Sequence, residues 1–117
     1  MTRAILIAGA LAASACVDTS PEAKAKQALD TARIQTTIAC EERMNAQLKS
    51  PGSADYPFAH STSVEALAEP NRYRLASYVD SQNAFGAVLR TKFACIVEGS
   101  GEDPAGYRVV EFAAVPQ

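Results

Sequence analysis

Two periodicities follow one another along the chain. Between Ser20 and Lys49, Cys40, Met44 and Leu48 recur every four residues, and Leu29, Ala32 and Thr36 carry the stripe back toward the start. The segment is rich in Ala, Glu, Lys, Gln and Arg, and lacks Gly and Pro beyond Pro21, a composition that favours helix. Ser20-Pro21-Glu22 predicts its beginning: a capping serine, proline in the first turn and an acid that complements the helix dipole. Ser50-Pro51-Gly52 predicts its end. Ile34 and Ile38 form a second stripe, which predicts either a break or a partner contact near Thr36.

After a turn-rich stretch with Pro57 and Pro70, the period changes to two. A weak strand is expected around Ser63 to Leu67, and a clear one over Tyr73 to Asp80. Phe85, Ala87, Leu89, Phe93, Cys95 and Val97 then share one face of a long second strand, with Arg90, Lys92 and Glu98 on the other. Tyr73, Tyr78, Phe85 and Phe93 have the spacing of core aromatics, one of the tyrosines being left for surface contact. Asp80-Ser81-Gln82-Asn83 is expected as the hairpin connection, because Asp and Asn bond to nearby backbone and tolerate left-handed geometry. Gly86 predicts a bulge or a close backbone approach. A further strand, Tyr107 to Val115, follows the turn-forming run Gly99 to Pro104.

These elements predict an α+β fold: one N-terminal amphipathic helix packed on a three- to four-stranded antiparallel sheet. Cys40 lies on the apolar helix stripe and Cys95 on the apolar strand face, so both periodicities aim their sulfurs at one interface. A helix-to-sheet disulfide is expected, with two buried free thiols as the alternative. On the chain-entropy estimate, closing that loop contributes about 4 kcal/mol.

The chain opens with Met-Thr-Arg, an apolar run and Ala13-Ser14-Ala15-Cys16, the parts of a secretory signal. The leader, Ala4 to Ala15, is shorter than the roughly 20 residues of a membrane-spanning helix. Three cysteines leave one over in an exported protein. Lipid on Cys16 accounts for it and leaves Cys40 and Cys95 as a pair suited to an oxidising compartment. Ala13-x-Ala15 is also acceptable to ordinary signal peptidase, which would release a soluble protein. The organisation expected is a signal peptide over 1–15, a lipidated start and short linker over 16–25, and one α+β domain over 26–117.

Of the 117 residues 48% are hydrophobic and 21% charged, ordinary values for a globular domain. The formal charge is −2, and losing Arg3 with the leader leaves 10 basic against 13 acidic residues, or −3. No basic block survives, so a nucleic-acid partner is not expected. His60 is the lone histidine, and any acid–base or nucleophilic scheme must use it with Asp55, Ser61 or Ser63. Residues so close in sequence seldom converge as a triad, and a loop histidine is the simpler reading. Two isolated cysteines and one histidine lack metal-ligand spacing. Glu41-Glu42-Arg43 reads as the solvated edge of the helix. Glu102-Asp103 sits in a turn without the alternating oxygen ligands of a calcium loop. No catalytic residues and no cofactor are expected.

Two stretches carry a resemblance: Leu48-Lys49-Ser50-Pro51 with Ala54 and Tyr56-Pro57, and Tyr78 to Ala87 running on through Arg90 and Phe93 to Cys95. They resemble small bacterial and phage-associated exported, lipoprotein-like proteins in which a Lys-Ser-Pro turn precedes a Val-Asp-Ala-Gln-Asn-Ser-Phe-Gly hairpin. Also similar to a lipoprotein signal are the two small residues before Cys16, although Ala13 stands where Leu is usual. Ser81 and Ala84 likewise exchange the Ala and Ser of the hairpin pattern. The resemblance implies a recurring domain and a hairpin, with no assigned reaction.

The expected function is a non-enzymatic binding module of the bacterial cell envelope, exported and tethered to a membrane by lipid on Cys16. It would face the periplasm or the exterior and engage another envelope or phage protein. Asp80, Gln82, Asn83, Phe85, Gly86 and Arg90 form the candidate partner surface, with Lys92 beside it. A phage or mobile-element exclusion lipoprotein is the sharper alternative, and a small hydrolase using His60 the rival from another class.

Overall fold

A computed structural model of the chain describes residues 20–58 and 63–116. The leader, Cys16, His60 and Ser61 lie outside these residues. Helix α1 runs over Pro21–Asn45, and its cap is the one the sequence signals: the Ser20 side chain accepts a hydrogen bond from Ala23 N at 3.1 Å. Its first two turns are largely exposed, and burial begins at Ala32. Helical residues therefore begin inside the 16–25 stretch.

The helix stops four residues short of Lys49. Gln47 N bonds to Met44 O and Leu48 N to Asn45 O, tighter three-residue steps that end the regular ladder. The chain then turns so that Leu48 packs against the core, and Ser50-Pro51-Gly52 leads into a single 3-10 turn over Pro51–Ser53. Near Thr36 the helix is unbroken, so Ile34 and Ile38 are simply exposed, at 53% and 41%.

Four strands follow: β1 (Val64–Ala66), β2 (Arg72–Gln82), β3 (Val88–Gly99) and β4 (Tyr107–Pro116). Each pairs antiparallel with the next, in the order β1-β2-β3-β4. One sheet face meets the helix. There Ala32, Cys40 and Met44 pack with Val64, Leu75, Val79, Phe93, Cys95, Val97 and Tyr107. Phe93 stacks on Phe112 and meets Tyr56 edge-on, with centroids 6.1 and 6.2 Å apart. A disulfide joins Cys40 to Cys95, whose Cα atoms are 6.0 Å apart. This is an α+β fold with one helix on a four-stranded antiparallel sheet and a helix-to-sheet disulfide.

The opposite sheet face is open to solvent and carries ion pairs between neighbouring strands. Arg74 meets Glu65 at 3.3 Å, and Glu98 sits between Arg72 and Arg108, each at 3.1 Å. Those two arginines hold the Glu98 carboxyl below its ordinary range, Arg108 more than Arg72.

The beginning of β3 departs from expectation. Phe85, Ala87 and Leu89 do not join Phe93 in the core: Phe85 is 94% exposed, Ala87 is exposed and Leu89 is 40% exposed. The strand starts only at Val88, and α1 ends at Asn45, short of the face this part of β3 presents. The close backbone approach falls at Gly99 rather than Gly86, since a Cβ on Gly99 would meet Tyr107 Cα at 2.7 Å.

Candidate functional site

Because β2 and β3 are long and directly paired, their connection projects at the end of the sheet where the helix terminates. Asp80, Ser81 and Gln82, expected in the turn, belong to β2 and pair with Arg90, Leu89 and Val88. Ser81 faces inward and is buried, which holds it in the strand pattern. The turn lies three residues later, over Asn83 to Ala87. Asn83 Oδ1 accepts from Phe85 N at 2.9 Å and from Ala87 N at 3.0 Å, and Asn83 N donates to Ala87 O. Gly86 N donates to Asn83 O, and Gly86 has φ of +84°, the left-handed glycine bulge that closes a three-residue hairpin loop. The bulge expected at Gly86 is present, and the open space around it excludes a close approach.

Asp80 and Arg90 oppose each other on the open face. The guanidinium makes two hydrogen bonds of 2.9 Å to the two carboxylate oxygens and lies 3.8 Å from the centre of the Tyr78 ring. This pairing lowers the Asp80 pKa and raises that of Arg90. Backbone bonds between Asp55 and Asp80, at 2.8 and 3.0 Å, draw the 55–58 segment alongside. Asp55, Pro57 and Phe58 thereby share a shallow depression with Tyr78, and Phe58 is fully exposed.

On the inner side of the hairpin base, the space past the helix end forms an open groove of about 270 Å³. Met44, Leu48, Leu89 and Ala114 line it, with Ser81 and Asn83 at its polar edge. Tyr56 braces the helix end here. Its hydroxyl donates to Asn45 Oδ1 at 2.7 Å, and burial, aided by Glu41, pushes its pKa up to about 12.

Phe58, Phe85, Val88, Leu89 and Val115, all exposed, gather at this end of the fold. The structure brings Asp80, Gln82, Asn83, Phe85, Gly86 and Arg90 onto one hairpin, but in different roles. Asn83 and Gly86 build the turn, Asp80 and Arg90 engage each other, and Phe85 projects. Tyr78, Phe58, Val88 and Val115 join this end without having been singled out as its members. Strand parity gives the face of Tyr78 and Val88, whereas Phe58 arrives only through the Asp55–Asp80 bridge.

The remaining candidates fall elsewhere. Asp103 Oδ1 accepts from Ala105 N at 2.9 Å and so caps the turn over Pro104–Gly106, while Glu102 O accepts from Gln35 Nε2. Arg43 lies over the Phe112 ring at 5.6 Å. Among the described residues, no group of three or more His, Cys, Asp and Glu side chains is placed to hold a metal ion, and no helix is long and apolar enough to cross a membrane. No protein-family model matches the chain, and no curated protein or solved structure is significantly similar to it.

Proposed function

We propose that this chain is a non-enzymatic binding module of the bacterial cell envelope, tethered through lipid on Cys16, that presents its β2–β3 hairpin end to another protein. The observation that carries the reading is where the large exposed apolar side chains lie, Ile34 and Ile38 on the helix excepted. Phe58, Phe85, Val88, Leu89 and Val115 lie at the end opposite the start of α1. At about 1.5 Å per residue the 25-residue helix separates its two ends by roughly 37 Å. A tether entering at Ser20 leaves the hairpin at the far end of the domain from its anchor. An exposed aromatic held on a braced turn contacts a partner with little loss of conformational freedom. Arg90, stacked and forked, adds a rigid polar element of the kind enriched at protein interfaces.

The test is a photo-crosslinking residue placed at Phe85, with Lys26 near the helix start as the control, in the full-length protein in its own envelope. A discrete protein adduct from position 85 and none from position 26 is the expected result. Equal labelling from both sites, or none from either, would overturn the reading. The tether is tested separately: Cys16→Ser should lose labelled fatty acid and membrane association. The finer identification of an exclusion lipoprotein of a phage or mobile element draws on the Lys-Ser-Pro and hairpin resemblance. It requires that expression reduce phage adsorption or DNA entry, and unchanged infection would dispose of it.

A further inference from the structure

The two edges of the sheet are built differently. On one side β1 is three residues long, and the rest of the β2 edge is engaged by the Asp55–Asp80 bridge and by Ser53 Oγ, which accepts from Gln82 N at 2.9 Å. Glu65 adds a charge there. On the other side β4 is ten residues long and reads Tyr-Arg-Val-Val-Glu-Phe-Ala-Ala-Val-Pro. No described strand lies beyond it. It has no lysine, and its proline stands at the last position. Such an edge offers backbone donors and acceptors to an extended chain, and here Arg108, Glu111 and a bulge at Val110 interrupt it, so that only a strand of matching charge and register fits.

The register of β4 makes this edge complementary to itself. Val97 pairs with Val109 and Ile96 with Glu111, so Val110 is the extra residue of a bulge. The bulge places Arg108 and Glu111, three positions apart, on the same open face, opposite Glu98 and Ile96. Tyr107 and Phe112 accordingly both belong to the face that packs on the helix. Laying a second β4 antiparallel beside the first, centred between Val109 and Val110, sets each Arg108 against the partner's Glu111. The same operation sets each Tyr107 against the partner's Phe112. Both faces match, and two opposite-charge pairs form by symmetry.

We infer that β4 pairs with β4 of a second copy, giving a two-fold dimer with a continuous eight-stranded sheet and reciprocal Arg108–Glu111 contacts. The outer edges of that dimer are the two short β1 strands, so pairing closes at two copies. The two-fold turns the protomers end for end, so each hairpin lies at the same end of the sheet as the start of its partner's α1, and two tethered copies pair lying along the membrane.

Sedimentation equilibrium of the full-length chain in detergent micelles, over a range of protein concentrations, tests the inference. A protein mass of two chains is expected. Arg108→Glu and Glu111→Arg should each weaken the dimer by about tenfold, since each sets like charges opposite one another. The double variant, Arg108→Glu with Glu111→Arg, should recover it. Amide exchange of the unsubstituted protein provides a second measurement, and the β4 amides should slow as concentration rises. A chain that stays monomeric, a dimer indifferent to either single substitution, or a double variant no better than the singles would each overturn the inference. So would β4 exchange that does not change with concentration.

Discussion

Arg90 grips Asp80 through two hydrogen bonds of 2.9 Å while its guanidinium plane covers the Tyr78 ring. Both halves of that arrangement need arginine, because lysine has neither a planar fork nor a face to stack. Arg90 is the chief cause of the lowered Asp80 pKa. The Asp80 contribution to stability is therefore present above the ordinary aspartate pKa and is lost as pH falls through the lowered folded value. In Arg90→Lys the Asp80 titration, followed by carboxyl NMR, should move back toward the ordinary range, and the acid loss of stability should shrink. An unchanged Asp80 midpoint would show that other groups hold the carboxylate.

The helix and sheet are stapled across a sequence separation of 55 residues. Replacing Cys40 and Cys95 together by alanine should lower unfolding stability by about 4 kcal/mol. Denaturant unfolding of both proteins checks this. Non-reducing mass spectrometry should show the oxidised pair in the unsubstituted chain.

Tyr56 joins the loop after the helix to the helix end through Asn45, and its hydroxyl is partly buried beside Glu41. Its folded pKa, about 12 against a usual 10.0, means that the folded state keeps the proton after the unfolded chain has released it. Stability should accordingly fall as pH rises between those two values. Tyr56→Phe should remove that alkaline loss, delete the highest tyrosinate transition seen by ultraviolet titration, and cost about 1 kcal/mol at neutral pH for the lost hydrogen bond.

Thr36 is fully buried at the helix–sheet interface, and its hydroxyl has no hydrogen-bond partner among the described residues. Valine has nearly the same shape and no hydroxyl to desolvate. Thr36→Val should stabilise the fold by about 1 kcal/mol, read from the denaturation midpoint at unchanged slope. A destabilised variant would mean that the hydroxyl is satisfied in solution.

The helix stripe and the alternating strands were legible because burial imposes their periods on the residues themselves. Ala32, Thr36, Cys40 and Met44 on one side, and Leu75, Val79, Phe93, Cys95 and Val97 on the other, face each other as those periods require. The disulfide followed from the same two periods. Turn position was less legible, because Asp80, Ser81, Gln82 and Asn83 all suit a turn. Only cross-strand register shows that the first three extend β2. Phe85 and Leu89 keep strand parity with Phe93 yet stay exposed, since parity does not reveal where the covering helix stops. The gathering of Phe58 with the hairpin depends on backbone bonds between Asp55 and Asp80, for which neither residue carries a local signal.

The cysteine pair also has a temporal side. Cys40 precedes its mate by 55 positions, so in a polypeptide threaded across a bilayer amino end first it emerges with an unmatched thiol. The earlier sulfur at position 16 is then the nearest rival for oxidation. A lipid bonded to that sulfur, as the proposed tether requires, removes it from the competition and reserves the helix thiol for the strand that arrives later. Lipidation and correct oxidation would thus be coupled, and a Cys16→Ala chain that forfeits its anchor should still oxidise correctly.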